Sequence, residues 1–147
     1  MKNNTAKEFL ERYRTADRKI RMLTDEIEKV ESLANGSGIA IDGQPHGTAT
    51  TDKVATAATV AADLKEKLSA WLFEQEKIKR EIINVLAELK DGNQFQVLRL
   101  RYLSDEMAET WFNIAYYMGK SERQVQRIHG YALREVEKII ERKGATK

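Results

Sequence analysis

The sequence predicts an all-α protein: a long N-terminal antiparallel helical hairpin, coiled-coil-like, followed by a C-terminal three-helix module of the helix-turn-helix type. Three observations support this. Two long apolar seams advance in alternating steps of three and four residues, only one proline occurs in 147 residues, and no stretch alternates apolar and polar residues as a strand does. Asp91-Gly92-Asn93 interrupts the second seam, so we expect a hairpin over residues 1–90 and a module over residues 91–147.

The two seams define the hairpin, because steps of three and four keep one stripe of a helix facing a partner helix. The first seam contains Phe9, Tyr13, Ala16, Ile20, Leu23, Ile27, Val30 and Ala34. The second contains Val54, Ala57, Ala61, Leu64, Leu68, Trp71, Gln75, Ile78, Ile82, Val85 and Leu89. Residues 35–51 between them are rich in Gly, Ser and Thr and are expected to form a loop, with Thr51 or Asp52 capping the second helix. The far end of that helix should pack on the C-terminal module or on a second subunit.

Composition limits the function classes. No run approaches the roughly 18 apolar residues of a membrane span, and the N-terminus lacks the apolar core of a secretion signal. We therefore expect a cytoplasmic protein that has no membrane partner. The chain has no cysteine, and its two histidines lie far apart in the sequence. Neither a metal site, a cofactor nor a catalytic cluster is expected, so an enzyme is the least favoured class.

Residues 118–130, MGKSERQVQRIHG, allow two interpretations. Gly119-Lys120-Ser121 could end a phosphate-binding loop, but such a loop needs a glycine five residues earlier, after a buried strand. That position is Ile114, in a segment of helical character. The second interpretation, a turn between two helices, is favoured.

A helix-turn-helix makes several spacing demands, and each is met here. Ala115 is small where the helices would touch, Gly119 can take a left-handed turn four residues later, Ser121 can cap the next helix, and Val125 and Ile128 can anchor it. The three C-terminal helices are predicted at about residues 94–103, 110–118 and 121–142.

With those anchors inward, polar side chains of the last helix should face outward, where arginine can bind guanine and glutamine adenine in the major groove. The candidate DNA-binding residues are Thr110, Lys120, Ser121, Glu122, Arg123, Gln124, Gln126, Arg127 and His129. A plain solvated face of an interaction domain is the alternative. The aromatic residues Trp111, Phe112, Tyr116 and Tyr117 are expected in the core or at its edge. The later apolar stripe (Ala132, Leu133, Val136, Ile139, Ile140) should pack on the preceding helices, on the hairpin or across a dimer.

From Val97, the segment VLRLRYLSDEMAETWFNIAYYMGKSERQVQRIHGYALREV resembles region four of primary-type bacterial sigma factors, the part that binds the promoter −35 element. The resemblance rests on Leu100-Arg101-Tyr102, Thr110, Gly119, Ser121 and Ala132-Leu133-Arg134. It implies a DNA-binding fold. Two glutamines stand where sigma factors are richer in arginine, so the resemblance does not carry over the DNA target.

The whole chain also resembles small phage- and prophage-encoded proteins of Gram-positive bacteria. The shared marks are Pro45-His46-Gly47, Asp52-Lys53-Val54 and the segment from Ile128 to Leu133. Members are usually regarded as regulators of phage late transcription. The resemblance implies a regulator inside a bacterial host cell.

The leading hypothesis is a sequence-specific DNA-binding transcription regulator, an activator of phage late genes that acts near RNA polymerase. Between Gly119 and Arg134 only four basic residues face one acidic residue, so a single copy should bind DNA weakly and need a second copy or the polymerase. A homodimer is favoured. The alternatives are a DNA-packaging subunit like the phage small terminase, expected as a ring of eight or more copies, and a coiled-coil adaptor that binds no DNA.

Overall fold

The computed structural model describes residues 2–35, 48–104 and 110–145, and all regular secondary structure in these ranges is helical. The all-α prediction is confirmed. Five helices follow one another: α1 (Lys2–Ala34), α2 (Thr48–Leu86), α3 (Gly92–Tyr102), α4 (Trp111–Met118) and α5 (Glu122–Ala145). None of the helices in these ranges combines the length and apolar content needed to cross a bilayer.

Helix boundaries agree closely with the prediction except at the two ends of α2, which ends at Leu86 rather than beyond Leu89. The predicted loop 35–51 is too long at its C-terminal end, because α2 begins at Thr48 rather than after Thr51 or Asp52. The alanines that follow are strong helix formers, and a helix once nucleated extends at little cost into neighbouring residues. The rest of that loop, including Pro45-His46-Gly47, lies outside the described residues.

The chain forms two compact units, and they do not coincide with the predicted division into 1–90 and 91–147. The larger unit comprises Met1–Thr15 and Glu76–Lys147, and the smaller unit comprises Ala16–Gln75. Both α1 and α2 contribute residues to each unit. The sequence break at Asp91-Gly92-Asn93 starts α3, with Asp91 as its N-cap, but does not separate two packed bodies, because Ile82 and Val85 before it share one core with Leu98 after it.

In the smaller unit, α1 and α2 contact each other in antiparallel order. The Gln75 side-chain amide donates to Asp17 at 3.3 Å, the Lys19 ammonium lies 4.7 Å from the Trp71 ring centroid, and Glu31 pairs with Lys65. Gln75, the polar member of the second seam, is therefore hydrogen-bonded across to α1. The buried seam residues of this unit are Ile20, Leu23, Ile27, Ala57 and Ala61.

The larger unit contains two apolar cores. The first, here called the terminal core, joins the start of α1, the end of α2, α3 and the second half of α5. Its buried residues are Ala6, Leu10, Tyr13, Ile82, Val85, Leu86, Leu98, Tyr102, Leu103, Ala132, Leu133, Val136 and Ile139. The later apolar stripe of α5 thus packs on α3 and on the hairpin helices, two of the three expected places. The far end of α2 packs on the C-terminal helices, one of its two expected partners.

The second core, here called the turn core, lies where α3, α4 and the start of α5 meet. Its buried residues are Val97, Leu100, Ile114, Ala115 and Val125, with Trp111, Met118 and Ile128 packed against them. The predicted anchors Val125 and Ile128 therefore do face inward.

A buried carboxylate ties α5 to α1 inside the terminal core. Glu137 is only 6% exposed, and its Oε2 accepts a hydrogen bond from the Ala6 backbone N–H at 2.9 Å. Nearer the surface, Arg12 donates to Glu81 at 2.9 Å, and Glu88 accepts from Arg142 and pairs with Lys143, each at 2.8 Å. Hydrogen bonds from Lys143, then Arg142, lower the pKa of the Glu88 carboxyl. Exposed pairs of this kind contribute little stability, so the apolar contacts dominate.

The shared terminal core makes a stability prediction. Leu10 is fully buried in it, so Leu10→Ala should lower the free energy of unfolding by about 2 to 5 kcal/mol. Urea unfolding followed by Trp111 fluorescence, in a Trp71→Phe background, reports the larger unit. Glu8→Ala, at an exposed position of the same helix, serves as control and should change stability by less than about 0.5 kcal/mol. An unchanged Trp111 transition in Leu10→Ala would show that α1 is not part of that unit.

Candidate nucleic-acid interface

The connection between α4 and α5 is a left-handed glycine turn. Gly119 has φ 67° and ψ 35°, and it is the one positive-φ residue in the described ranges. The Lys120 N–H donates to the Ala115 carbonyl at 3.0 Å, and the Gly119 N–H donates to Tyr116 at 3.3 Å. These two bonds satisfy the last carbonyls of α4 in the pattern typical of a glycine-terminated helix. The predicted positive φ at Gly119 is confirmed.

Reciprocal side-chain bonds start α5 immediately after this turn. Ser121 Oγ accepts from the Gln124 backbone N–H at 3.1 Å, and Gln124 Oε1 accepts from the Ser121 backbone N–H at 2.9 Å. This capping box satisfies two helix-end donors and holds the first turn of α5 rigid. Thr110 caps the start of α4 with one such bond, in which its Oγ1 accepts from the Asn113 N–H at 3.1 Å.

These bonds change the role of three candidate residues. Thr110, Ser121 and Gln124 are all exposed, but a side-chain oxygen of each is engaged in a cap. Gln124 in particular was expected to face DNA as a base-reading side chain, and its amide oxygen instead bonds backward to Ser121. Its first contribution is to the geometry of the helix start.

The remaining candidates form an outward-facing surface on the first turns of α5. We call Glu122, Arg123, Gln126 and Arg127 the outer ridge; all four are exposed, whereas Val125 between them is fully buried in the turn core. Lys120 lies half-buried in the turn just before them. No ion pair to the guanidinium of Arg123 or Arg127 occurs within the described part of the chain. Both cations are thus available to an external anion or hydrogen-bond acceptor.

His129 is not part of this ridge. Its Nε2 lies 2.8 Å from the Tyr102 hydroxyl, and the edge of Trp111 packs on its ring at 4.8 Å between centroids. Arg101 in turn lies 4.2 Å above the Trp111 ring. A contact of His129 with DNA is not supported, since the imidazole is already bonded inside the larger unit. The hydrogen bond joins α5 to α3, and the ring contact with Trp111 joins α4 to α5.

Burial, followed by the positive charges of Arg101 and Lys7, lowers the pKa of His129 to about 4. Burial also raises the pKa of the Tyr102 hydroxyl to about 12. Both groups are therefore uncharged at neutral pH and share one hydrogen bond that links the helices.

The sequence does contain a signal for the inward position of His129. It follows Val125 by four residues and precedes Ala132 by three, the spacing of one helix face. Its polar character suggested the surface, but a histidine with a hydroxyl partner is readily accommodated in a half-buried site.

The aromatic residues of α4 were mostly predicted wrongly. Trp111 packs against the turn core, as expected, but Phe112, Tyr116 and Tyr117 are 67%, 85% and 65% exposed. Only Ile114 and Ala115 are fully enclosed on this eight-residue helix. An aromatic-rich helix this short has one inward face, and the other aromatics are left in solvent.

Among residues 2–35, 48–104 and 110–145, no three His, Cys, Asp or Glu side chains lie close enough together to bind a metal ion. No family model, curated protein or solved structure matches the chain.

The left-handed turn predicts losses of stability of different size for two substitutions at Gly119. An added Cβ would meet no atom within 4 Å, so the cost is that of the backbone conformation alone. Gly119→Val should destabilise the larger unit by about 1 to 3 kcal/mol, because β-branched residues are strained at positive φ. Gly119→Asn should cost less, since asparagine tolerates this region. Equal urea midpoints for the valine variant and the wild type would contradict the turn.

The buried histidine predicts a pH dependence of stability. The unfolded chain takes up a proton at His129 near pH 6.5 and the folded chain only near pH 4, so the unfolded state binds more protons between these values. The free energy of unfolding should therefore fall by about 1 to 2 kcal/mol between pH 7 and pH 5.

Urea unfolding at the two pH values measures this change. His129→Gln removes the titrating group while keeping a polar side chain, and other groups titrate equally in both proteins. The wild type should lose more stability on acidification than this variant. An equal loss would show that His129 is not held neutral by the fold.

Proposed function

We propose that this protein is a sequence-specific DNA-binding transcription regulator whose α4–turn–α5 segment acts as a helix-turn-helix. The observation that carries the proposal is the outer ridge. Arginine and glutamine side chains project from a helix that the turn core holds on its opposite side. An α-helix fits the major groove of B-DNA, and these side chains suit recognition of guanine and adenine edges.

The separation of buried apolar and exposed basic residues within the segment supports DNA binding over a plain solvated helix face. Val125 is fully buried, whereas its neighbours Arg123 and Arg127 are exposed and unpaired. A simple helical hairpin has no need of a left-handed glycine followed at once by a capping box. In a DNA-binding segment both features have a purpose, because they hold the start of the reading helix at a fixed angle.

The proposed partners are double-stranded DNA, RNA polymerase and a second copy of the chain. The outer ridge offers few cations, and few phosphate contacts give weak, salt-sensitive binding to a single module. A second copy would double the contacts. The smaller unit exposes Met22 and Phe73 at 72% and 76%, which supports an interface on that unit.

Following the resemblance to phage regulators, the proposed role is activation of phage late genes in the cytoplasm of a bacterial host. No catalytic role is proposed. Assembly into a ring of eight or more copies would favour the packaging alternative over a dimeric regulator.

Selection of bound sequences from a random DNA pool tests the proposal directly and supplies a specific duplex. On that duplex Arg127→Ala should weaken binding by about 1 to 3 kcal/mol, as expected for a lost contact to a base, without changing the urea midpoint. Lys67→Ala removes another exposed cation, from the smaller unit, and should bind as the wild type does. Failure to enrich any sequence, or equal affinity of wild type and Arg127→Ala, would contradict base reading by this helix.

A further inference from the structure

Gly130 occupies a position at which the described part of the protein does not require a glycine. It lies in the middle of α5, and a helical glycine is less stable than alanine at such a position. A Cβ added there would meet no atom within 4 Å, and its φ is not in the left-handed region. Neither packing nor backbone conformation within the larger unit therefore explains the glycine.

The surroundings of Gly130 on the helix surface are basic. At 100° per residue, Arg127 and Arg134 lie one turn before and one turn after it on the same side of α5, continuing the direction of Arg123. Both flanking arginines are exposed. The Arg134 guanidinium lies 5.5 Å from the ring centroid of Tyr131, which is 52% exposed.

This basic side of α5 continues for one more turn and then ends. Lys138 is exposed beside its partner Glu135 at 3.2 Å, and the next charge in line is the exposed acid Glu141. The outward-facing cations thus run from Arg123 to Lys138, roughly 22 Å along the axis at 1.5 Å per residue. Gly130 is the one gap in the middle of them.

We propose that the sugar-phosphate backbone of a bound duplex crosses α5 at Gly130, between Arg127 and Arg134. This rests on the proposed function. The missing side chain lets a phosphate approach the helix closely, and the Arg134 guanidinium neutralises and binds it, while Arg127 on the other side of the gap reaches the bases. Contact with DNA then extends about two turns beyond the outer ridge, and Tyr131 holds the second arginine in place.

A matched pair of glycine variants tests the close approach. Gly130→Ala and Gly144→Ala each add one methyl group to α5 in open space, so neither should lower the urea midpoint. Fluorescence anisotropy with a labelled duplex of mixed sequence at low salt measures binding. Gly130→Ala should weaken it by about five- to tenfold, the loss of about one good contact, and Gly144→Ala should not change it.

A separate experiment tests Arg134, the cation one turn after Gly130. Arg134→Ala should weaken binding to every duplex alike and reduce the slope of log affinity against log salt by about one. Lys67→Ala should leave both quantities unchanged.

The outcomes separate the two proposals. If the wild type retains no duplex even at low salt, the proposed function fails and this inference fails with it. If the wild type binds and Arg127→Ala weakens binding, but Gly130→Ala and Arg134→Ala bind as the wild type does, only this inference is overturned. Weaker binding by Gly130→Ala accompanied by lower stability would also overturn it, because the methyl group would then clash within the protein.

Discussion

The attachment of α5 to two separate apolar cores is the constraint on which the rest of the structure depends. Val125 is fully buried in the turn core, and Ala132 and Val136 are fully buried in the terminal core. Each buried aliphatic side chain contributes on the order of 1.5 to 3 kcal/mol relative to exposure. Rotating α5 about its axis would expose residues from both cores at once. The outward direction of Arg123 and Arg127 is therefore fixed by apolar packing on the opposite side.

Polar contacts set the angle at which α5 leaves the turn. The positive φ of Gly119 reverses the chain, the capping box of Ser121 and Gln124 starts the next helix, and the bond between Tyr102 and His129 ties that helix to α3. Uncharged partners suit this half-buried position, because burying a charge there would cost more than one hydrogen bond returns. The same contacts that order the helix thus engage the imidazole of His129 and the amide oxygen of Gln124 in hydrogen bonds within the protein. What remains outward is a short set of side chains around Arg123 and Arg127.

The sequence predicted features that a local physical rule determines. Heptad spacing identifies the inward faces of α1 and α2, and a glycine four residues after a small residue predicted the left-handed turn that Gly119 adopts. Features that depend on distant partners were missed. Glu137 is buried because it bonds to Ala6, 131 positions away, and no local pattern contains that information. The two compact units differ from a division at Asp91 for the same reason, since the pattern defines a face but not the partner that covers it.

Residue type alone gave wrong predictions for side chains that occur both in protein cores and at protein surfaces. Phe112 and Tyr116 were expected in the core or at its edge because they are aromatic, but the inward face of α4 is already filled by Ile114 and Ala115. His129 was expected outside because it is polar, although its spacing from Val125 places it inward. At the candidate interface, the sequence correctly predicted that Arg123 and Arg127 are exposed. Which polar neighbours are already hydrogen-bonded within the protein depends on contacts with other helices and with the turn, such as those of His129 and Gln124.

The central claim is that the outward side of α5 enters a DNA duplex while its buried side stays in place. NMR titration of the isotope-labelled protein with duplex DNA tests this most directly. We expect the guanidinium signals of Arg123 and Arg127 and the backbone amides of residues 121–127 to shift, whereas the methyl signals of Val125 and Val136 in their cores stay unchanged. Unperturbed α5 signals, with shifts confined to residues 16–75 or absent altogether at low salt, would contradict it.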